Sequence, residues 1–289
     1  MGLTTAIIGN GAMGFAIGKR FLEEGVAVRA YDRNPPKVQA LADLGAVGCG
    51  SPAEAAAGAG YVVTSLNSAE AVEAVIFGDG GAAERAAEGT LIVDMSSIDP
   101  EATTALAGRA AERGLRWVDS PLSGGAPKAA LGTLTLMAGG AEEDVADAHE
   151  LLKHVSANYT RMGGPGAGQA TKLINQVLCG LGFVAVAEAT KLAEDAGVDA
   201  ALIPTALKGG RADSAILQEY MPRFAGRDYE KTGRIDNMVK DLNAVQDLAR
   251  GTGTAMPLTA LAAEIHRLMT AAGWGGEDQA TLMEYWRGR

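Results

Sequence analysis

From Thr4 to about Met162 the chain alternates short runs rich in β-branched and aromatic residues with amphipathic stretches, and this alternation narrows the possible folds more than any other feature. The runs TTAIIG, AVRAYD, YVVTSLN, TLIVDMS and LRWVDSPL are close to continuously apolar, as strands buried on both faces must be. Between them FAIGKRFLEEG, PKVQALADLG and PEATTALAGRAAERG carry the helical period. Strand, helix and strand in succession imply parallel pairing, with helices covering both faces of one sheet. The piece GTLTLMAGG reads as a hairpin-like extension of that sheet.

After Gly163 the strand pattern stops. Helical stretches follow at about Gln169 to Ala196, Ile203 to Lys208, Ala215 to Met221, Ile235 to Thr252, Pro257 to Ala272 and Asp278 to Trp286. The glycine-rich segment GGPGAGQ, Gly163 to Gln169, is the natural hinge. The expected organisation is an α/β nucleotide-binding domain over 1–162 and an all-helical domain over 163–289 that opens with one long connecting helix. That helix is almost wholly apolar from Leu173 to Ala189, but Asn175, Gln176 and Glu188 make it a poor membrane span. A helix buried in protein fits it better.

Composition removes several classes of partner. A net charge of −10 argues against nucleic acid or an anionic membrane surface, since both need basic surface to displace counterions. Cys49 and Cys179 are far apart and follow no metal spacing, and His149, His154 and His266 form no ligand set, so no metal is expected. The start MGLTTAIIGNG shows no charged region followed by an apolar one, which points to a cytoplasmic protein with reduced thiols. MGLTTA formally fits the myristoylation pattern, but Gly2 reads more simply as the residue before a buried first strand.

The chemistry lies in five places. IIGNGAMG sets Gly9, Gly11 and Gly14 in G-x-G-x-x-G spacing between a strand and a helix, the pattern that lets backbone approach a pyrophosphate in a Rossmann-type fold. Asn10, Ala12 and Met13 belong to the same turn. The next strand ends in Asp32, placed to bind the ribose hydroxyls of NAD and to repel the 2′-phosphate of NADP. Arg33 suits either an adenine face or that extra phosphate, so NAD is favoured and NADP stays open. Leu66, Asn67 and Ser96 lie at strand ends on the expected cofactor side, where Ser97 or Asp99 also serves as a helix cap.

In DSPLSGGAPKAA, Ser123, Gly124 and Gly125 form a turn whose N–H groups and hydroxyl suit a carboxylate, with Lys128 adding charge; a solvated loop is the plainer alternative. In QATKLINQ, Lys172, Asn175 and Gln176 share one helical face. A lysine there could protonate a carbonyl oxygen as hydride arrives, or it could be an interdomain structural lysine. Lys240, in RIDNMVKDL, either reaches the nicotinamide end of a cofactor or forms a surface ion pair with Asp241.

Taken together, GNGAMG, YDRNP, DMSSIDP, DSPLSGGAPKAALGTLTLMAGG, GAGQATKLINQ, RIDNMVKDL and PLTALAAEI resemble the β-hydroxyacid dehydrogenase family over nearly the whole chain. The forms DRNP, DMSSI and SGGAPKA look most like its tartronate semialdehyde reductase branch. The resemblance implies an NAD(P)-dependent oxidoreductase that interconverts a small 3-hydroxy acid and its semialdehyde or keto form. Tartronate semialdehyde is then the first expected substrate, with 3-hydroxyisobutyrate or L-threonate as alternatives; a non-catalytic dinucleotide-binding module is the reading from another class. It further implies Lys172 as catalytic acid and base, Ser123, Gly124, Gly125 and Asn175 as substrate contacts beside Gln176, and Ser96 and Lys240 as cofactor contacts. It also implies a homodimer or homotetramer. Two positions depart from the family pattern: Asn67 stands where proline is usual, and Gly233 where phenylalanine is usual.

Overall fold

The computed structural model describes residues 3–287, so Gly2, where the myristoylation pattern falls, lies outside the described residues. Among the described residues nine strands form one sheet: β1 Thr4–Ile8, β2 Ala27–Tyr31, β3 Val47–Gly48, β4 Tyr61–Thr64, β5 Leu91–Asp94, β6 Arg116–Asp119, β7 Leu122–Ser123, β8 Leu134–Gly140 and β9 Ser156–Gly163. Their order is β3-β2-β1-β4-β5-β6-β8-β7, with β9 also paired to β8. All neighbours from β3 to β6 are parallel, whereas β8 runs antiparallel to β6 and β7. The piece GTLTLMAGG does extend the sheet, but it pairs with β9 in parallel as well as with β7. β9, five of whose eight residues face water, has too little apolar character to stand out in the sequence.

Side chains alternate between the two faces. Ile7, Leu91, Val93 and Val118 face a core closed by Ile17, Phe21 and Leu151. Ala6, Ile8, Ile92 and Trp117 face the opposite one, closed by Ile76 and Leu106. This two-sided burial is the reason the parallel strands read as continuous apolar runs. The covering helices are α1 Ala12–Glu23, α2 Pro35–Ala42, α3 Pro52–Ala56, α4 Ala69–Phe77, α5 Pro100–Ala111, α6 Gly125–Ala130 and α7 Glu142–Leu152. Of the two candidate caps before α5, Asp99 takes the part, its carboxylate accepting from the Ala102 N–H.

The remaining α-helices are α8 Ala167–Asp195, α9 Ile203–Leu207, α10 Ala215–Gly226, α11 Ile235–Thr252 and α12 Pro257–Met269, and the stretch expected from Asp278 to Trp286 forms a 3-10 helix over Gln279–Trp286. The chain divides into two compact units, Met1–Lys172 and Leu173–Arg289, so the division falls inside α8 and leaves its first turn with the sheet. By length and composition α8 is apolar enough to cross a membrane. In the second unit Phe183, Val186 and Ala187 pack with Leu217, Tyr220 and Phe224 in a core, whereas Ile174, Leu178 and Leu192 are exposed, so the helix is buried along one face and not, as expected, on most sides. Gly180 lets that helix approach Leu242 closely: a Cβ there would sit 2.9 Å from the leucine side chain. α10 continues through Pro222 to Gly226, past the expected end at Met221, because Phe224 in its last turn is fully buried.

Candidate active site

The order of the strands reverses direction between β1 and β4, and in open α/β sheets the crevice beyond such a point is where ligands bind. A cavity of about 440 Å³ lies there, lined from β1 by Gly9 and Gly11, from β2 by Asp32 and Arg33, from β4 by Leu66 and Asn67, and from α2 by Lys37. The three glycines do different work. Gly9, at φ +95°, has no room for a side chain, since a Cβ would come within 2.5 Å of the Ser65 carbonyl oxygen. Gly14 packs against the Gly9 carbonyl so closely that any Cβ would collide with it. At Gly11 a Cβ would meet nothing within 4 Å, yet this residue lines the cavity and forms the N-cap of α1 without any side-chain cap. The first and third glycines therefore shape the turn, and the second leaves bare backbone toward a ligand at the positive end of a helix.

Asp32 holds this turn together. One carboxylate oxygen accepts from the Asn10 N–H at 2.8 Å and the other from the Asn34 N–H at 2.8 Å. Each oxygen keeps a lone pair for a further donor such as a ribose hydroxyl. Asn10, Gly11 and Ala12 also border an adjoining surface hollow with Lys37, while Met13 packs against the core. A helix amino terminus, a bare glycine and a carboxylate beyond the next strand are the donor and acceptor set a dinucleotide needs, so the residues present fit that cofactor.

The neighbouring strand ends, β5 and β6, are closed rather than open. Asp94 and Asp119 sit side by side in register and both are fully buried. Asp94 accepts from the Thr64 hydroxyl at 2.8 Å and the Ser96 N–H at 3.0 Å, while burial raises its pKa against the lowering effect of those bonds. Asp119 accepts from the Gly166 N–H at 2.8 Å and the Gln169 N–H at 3.0 Å. Burial pushes its carboxyl up to about 6; the two N–H groups oppose that shift and Asp94 adds to it. Gly139 and Gly168 make room for it, since a Cβ on either would lie within 2.7 Å of an Asp119 oxygen.

Gln169 completes the arrangement. Its Nε2 donates to the Ser96 carbonyl at 2.8 Å, and its Oε1 accepts from the Ile98 N–H at 3.3 Å. Ser96 in turn accepts at its hydroxyl from the Leu66 N–H at 3.0 Å. Lys172 follows one turn later on α8 and is half-buried. Ser123 ends β7, paired with Thr135, and Gly124 and Gly125 follow at φ +125° and +71°, values that side-chain-bearing residues rarely adopt. The Lys128 stem lies over Gly124, while the residue as a whole is exposed.

In the second unit, Asn175 Nδ2 donates to Gln176 Oε1 at 2.8 Å, and Gln176 Nε2 donates to Asp241 Oδ2 at 2.6 Å. Asp241 also pairs with Lys240 Nζ at 3.4 Å, and the Lys240 side chain is 58% exposed. Gly233 donates its N–H to Asp278 at 2.8 Å, and the nearest atom to a Cβ placed there is the Tyr220 hydroxyl at 3.9 Å. The structure thus gathers Gly9, Gly11, Asp32, Arg33, Leu66 and Asn67 around one cavity and sets Ser96 behind Leu66. Asn175, Gln176 and Lys240 join a separate network through Asp241.

Sequence reasoning passed over Lys37, Asp119 and Gln169. Asp119 carried a signal, since RWVD and LIVD are twin strands that each end in an acid at the same sheet level. Gln169 carried little, because nothing local in GAGQATK distinguishes a clamp from a solvated helix start.

Known proteins resemble the chain along nearly its whole length. Residues 4–164 match the family model described as the NAD binding domain of 6-phosphogluconate dehydrogenase. Residues 166–286 match that described as NAD-binding of NADP-dependent 3-hydroxyisobutyrate dehydrogenase. An L-threonate dehydrogenase of Cupriavidus necator is 36% identical over 100% of the chain and 97% of its own length. A mitochondrial 3-hydroxyisobutyrate dehydrogenase of Mus musculus is 32% identical, covering 97% of this chain and 86% of its own. Among solved structures, Mycobacterium tuberculosis 3-hydroxyisobutyrate dehydrogenase with L-serine superposes with a TM-score of 0.90 at 28% identity, covering 100% of both chains.

Proposed function

We propose, for a chain that belongs to the β-hydroxyacid dehydrogenase family and is one of its NAD(P)-dependent dehydrogenases, that the substrate is a short hydroxy acid such as L-threonate and that Lys172 moves the proton. The observation that carries the choice of acid is the similarity to an L-threonate dehydrogenase along the entire chain. Tartronate semialdehyde is the second reading, supported by the forms DRNP, DMSSI and SGGAPKA. Relatives named as dehydrogenases leave the non-catalytic alternative without support.

When bound, the nicotinamide accepts or supplies the hydride. Asp32 and the Gly9–Gly14 turn hold the dinucleotide, with Arg33, Leu66 and Asn67 on its cavity side and Ser96 supporting Leu66 from behind. We favour NAD, because the Asp32 carboxylate repels a 2′-phosphate, although Arg33 and Lys37 line the same cavity. Ser123, Gly124 and Gly125 hold the substrate carboxylate, and within the second unit Gln176, anchored on Asp241, orders the Asn175 amide. Lys172 donates its proton to the carbonyl oxygen in reduction and, when neutral, accepts the alcohol proton in oxidation. We infer a homodimer or homotetramer from Ile174, Leu178, Leu258 and Leu261, which are 59% to 68% exposed in the single chain. A cytoplasmic location accords with two free cysteines.

The test is a steady-state panel of L-threonate, 3-hydroxyisobutyrate, L-serine and tartronate semialdehyde, each with NAD(H) and NADP(H). L-Threonate with NAD+ is expected to give the highest kcat/KM, and Lys172→Ala to lower kcat by about 100- to 10,000-fold. No turnover of any acid sinks the substrate class, equal rates with both cofactors sink the Asp32 argument, and near-normal turnover in Lys172→Ala sinks the lysine.

A further inference from the structure

We propose that Gln169 is a positioning residue, its carboxamide fixing the rotational phase of the first turn of α8 and so the direction in which Lys172 is presented. The inference rests on the reading of Lys172 as the proton carrier. Three observations support it. Gln169 is 1% exposed, although glutamine is a residue usually found in water. Both ends of its amide are used, and both partners are backbone groups of the same loop, the Ser96 carbonyl and the Ile98 N–H. Its own N–H is also taken, by the Asp119 carboxylate, which holds Gly166 as well.

A helix start is normally free to fray, since its first N–H groups have no partners within the helix. Here those of Gly166 and Gln169 are bound by a carboxylate from β6, and the Gln169 side chain adds a lateral tie to the β5–α5 loop. Two attachments in different directions fix rotation about the helix axis as well as translation along it. Lys172, three residues on, lies on the turn that this rotation sets. The tie ends on Ser96, whose hydroxyl receives the Leu66 N–H of the cofactor cavity, so one hydrogen-bonded path runs from that cavity's wall to the turn carrying the lysine. A lysine aimed wrongly by an ångström loses on the order of 100-fold in rate even when folding and binding survive.

The experiment is a double-mutant cycle between Gln169→Met, which keeps the length but neither hydrogen bond, and Lys172→Ala. It is run on the full chain with whichever acid of the panel turns over fastest. Gln169→Met is expected to lower kcat by about 30- to 100-fold and to leave KM for the acid and Kd for the cofactor within about threefold. In the Lys172→Ala background the same change is expected to have almost no further effect, because residues that act as a unit are not additive. A full, additive loss in that background overturns the proposal, as does wild-type kcat in the single variant. A Lys172→Ala enzyme with normal turnover overturns the lysine assignment instead, and is read from that variant alone. If Gln169→Met does not fold, Gln169→Glu, which keeps the acceptor for the Ile98 N–H, takes its place with the same two expectations.

Discussion

The strand ends on either side of β4 solve opposite problems. Beyond β1, β2 and β4 the backbone stays open: a bare glycine, two exposed cations and a carboxylate surround a cavity of about 440 Å³. Beyond β5 and β6 it is sealed, with Asp94, Asp119 and Gln169 buried and bonded to one another's loops. The same sheet edge therefore offers a cradle on one side and an anchor on the other. The open side binds by leaving donors unused, whereas the closed side holds a helix still by binding its first backbone N–H groups.

The strongest way to break this contrast is Gly14→Ala. Its Cβ would collide with the Gly9 carbonyl, so the turn must move, and a stability loss on the order of 3–5 kcal/mol is expected in denaturant unfolding. A loss below about 0.5 kcal/mol would show that the turn is soft. Next in size is Asp119→Asn. The wild-type carboxyl titrates at about 6 in the fold against an ordinary 3.8, so the native state binds its proton more tightly than the unfolded chain. The stability this contributes is fully present below about 3.8 and is lost as pH rises through about 6. Asp119→Asn should remove that slope, which amounts to on the order of 1–3 kcal/mol in the unfolding free energy followed from pH 4 to pH 7. An unchanged slope would place the titration elsewhere.

Gly11→Ala sharpens the comparison by separating binding from folding. Nothing in the chain obstructs its Cβ, so stability should fall by no more than about 1 kcal/mol, the cost of alanine at an N-cap, while NAD+ binding by calorimetry weakens by at least about tenfold. A stability loss matching that of Gly14→Ala would mean the second glycine also shapes the turn. The smallest expected effect is Lys37→Ala. It should weaken NADP+ a few-fold more than NAD+, as loss of one partly screened surface charge does. Equal weakening of both cofactors would remove Lys37 from the discrimination.

The open side was legible early because its chemistry is local. Gly9, Gly11 and Gly14 act within a single turn and Asp32 ends the next strand, so spacing along the chain carries nearly all of the information. The closed side was hidden for the converse reason. Asp119 meets Gly166 and Gln169, and Gln169 meets Ser96 and Ile98, across separations of 47 to 73 residues that no periodicity records. β9 escaped notice because its exposed residues dilute the apolar signal, and Ser123 could be placed on a turn but not against Thr135.

What the chain order dictated on its own was the parallel sheet, the glycine turn and the change to helices after Gly163, since each follows from burial period or backbone freedom within a short window. What only tertiary structure decided was where the two units divide and why. The first turn of α8 stays with the sheet because the buried Asp119 carboxylate, from a distant strand, satisfies backbone N–H groups that the helix itself leaves unpaired, and the buried Gln169 amide of that turn bonds backbone of the distant β5–α5 loop.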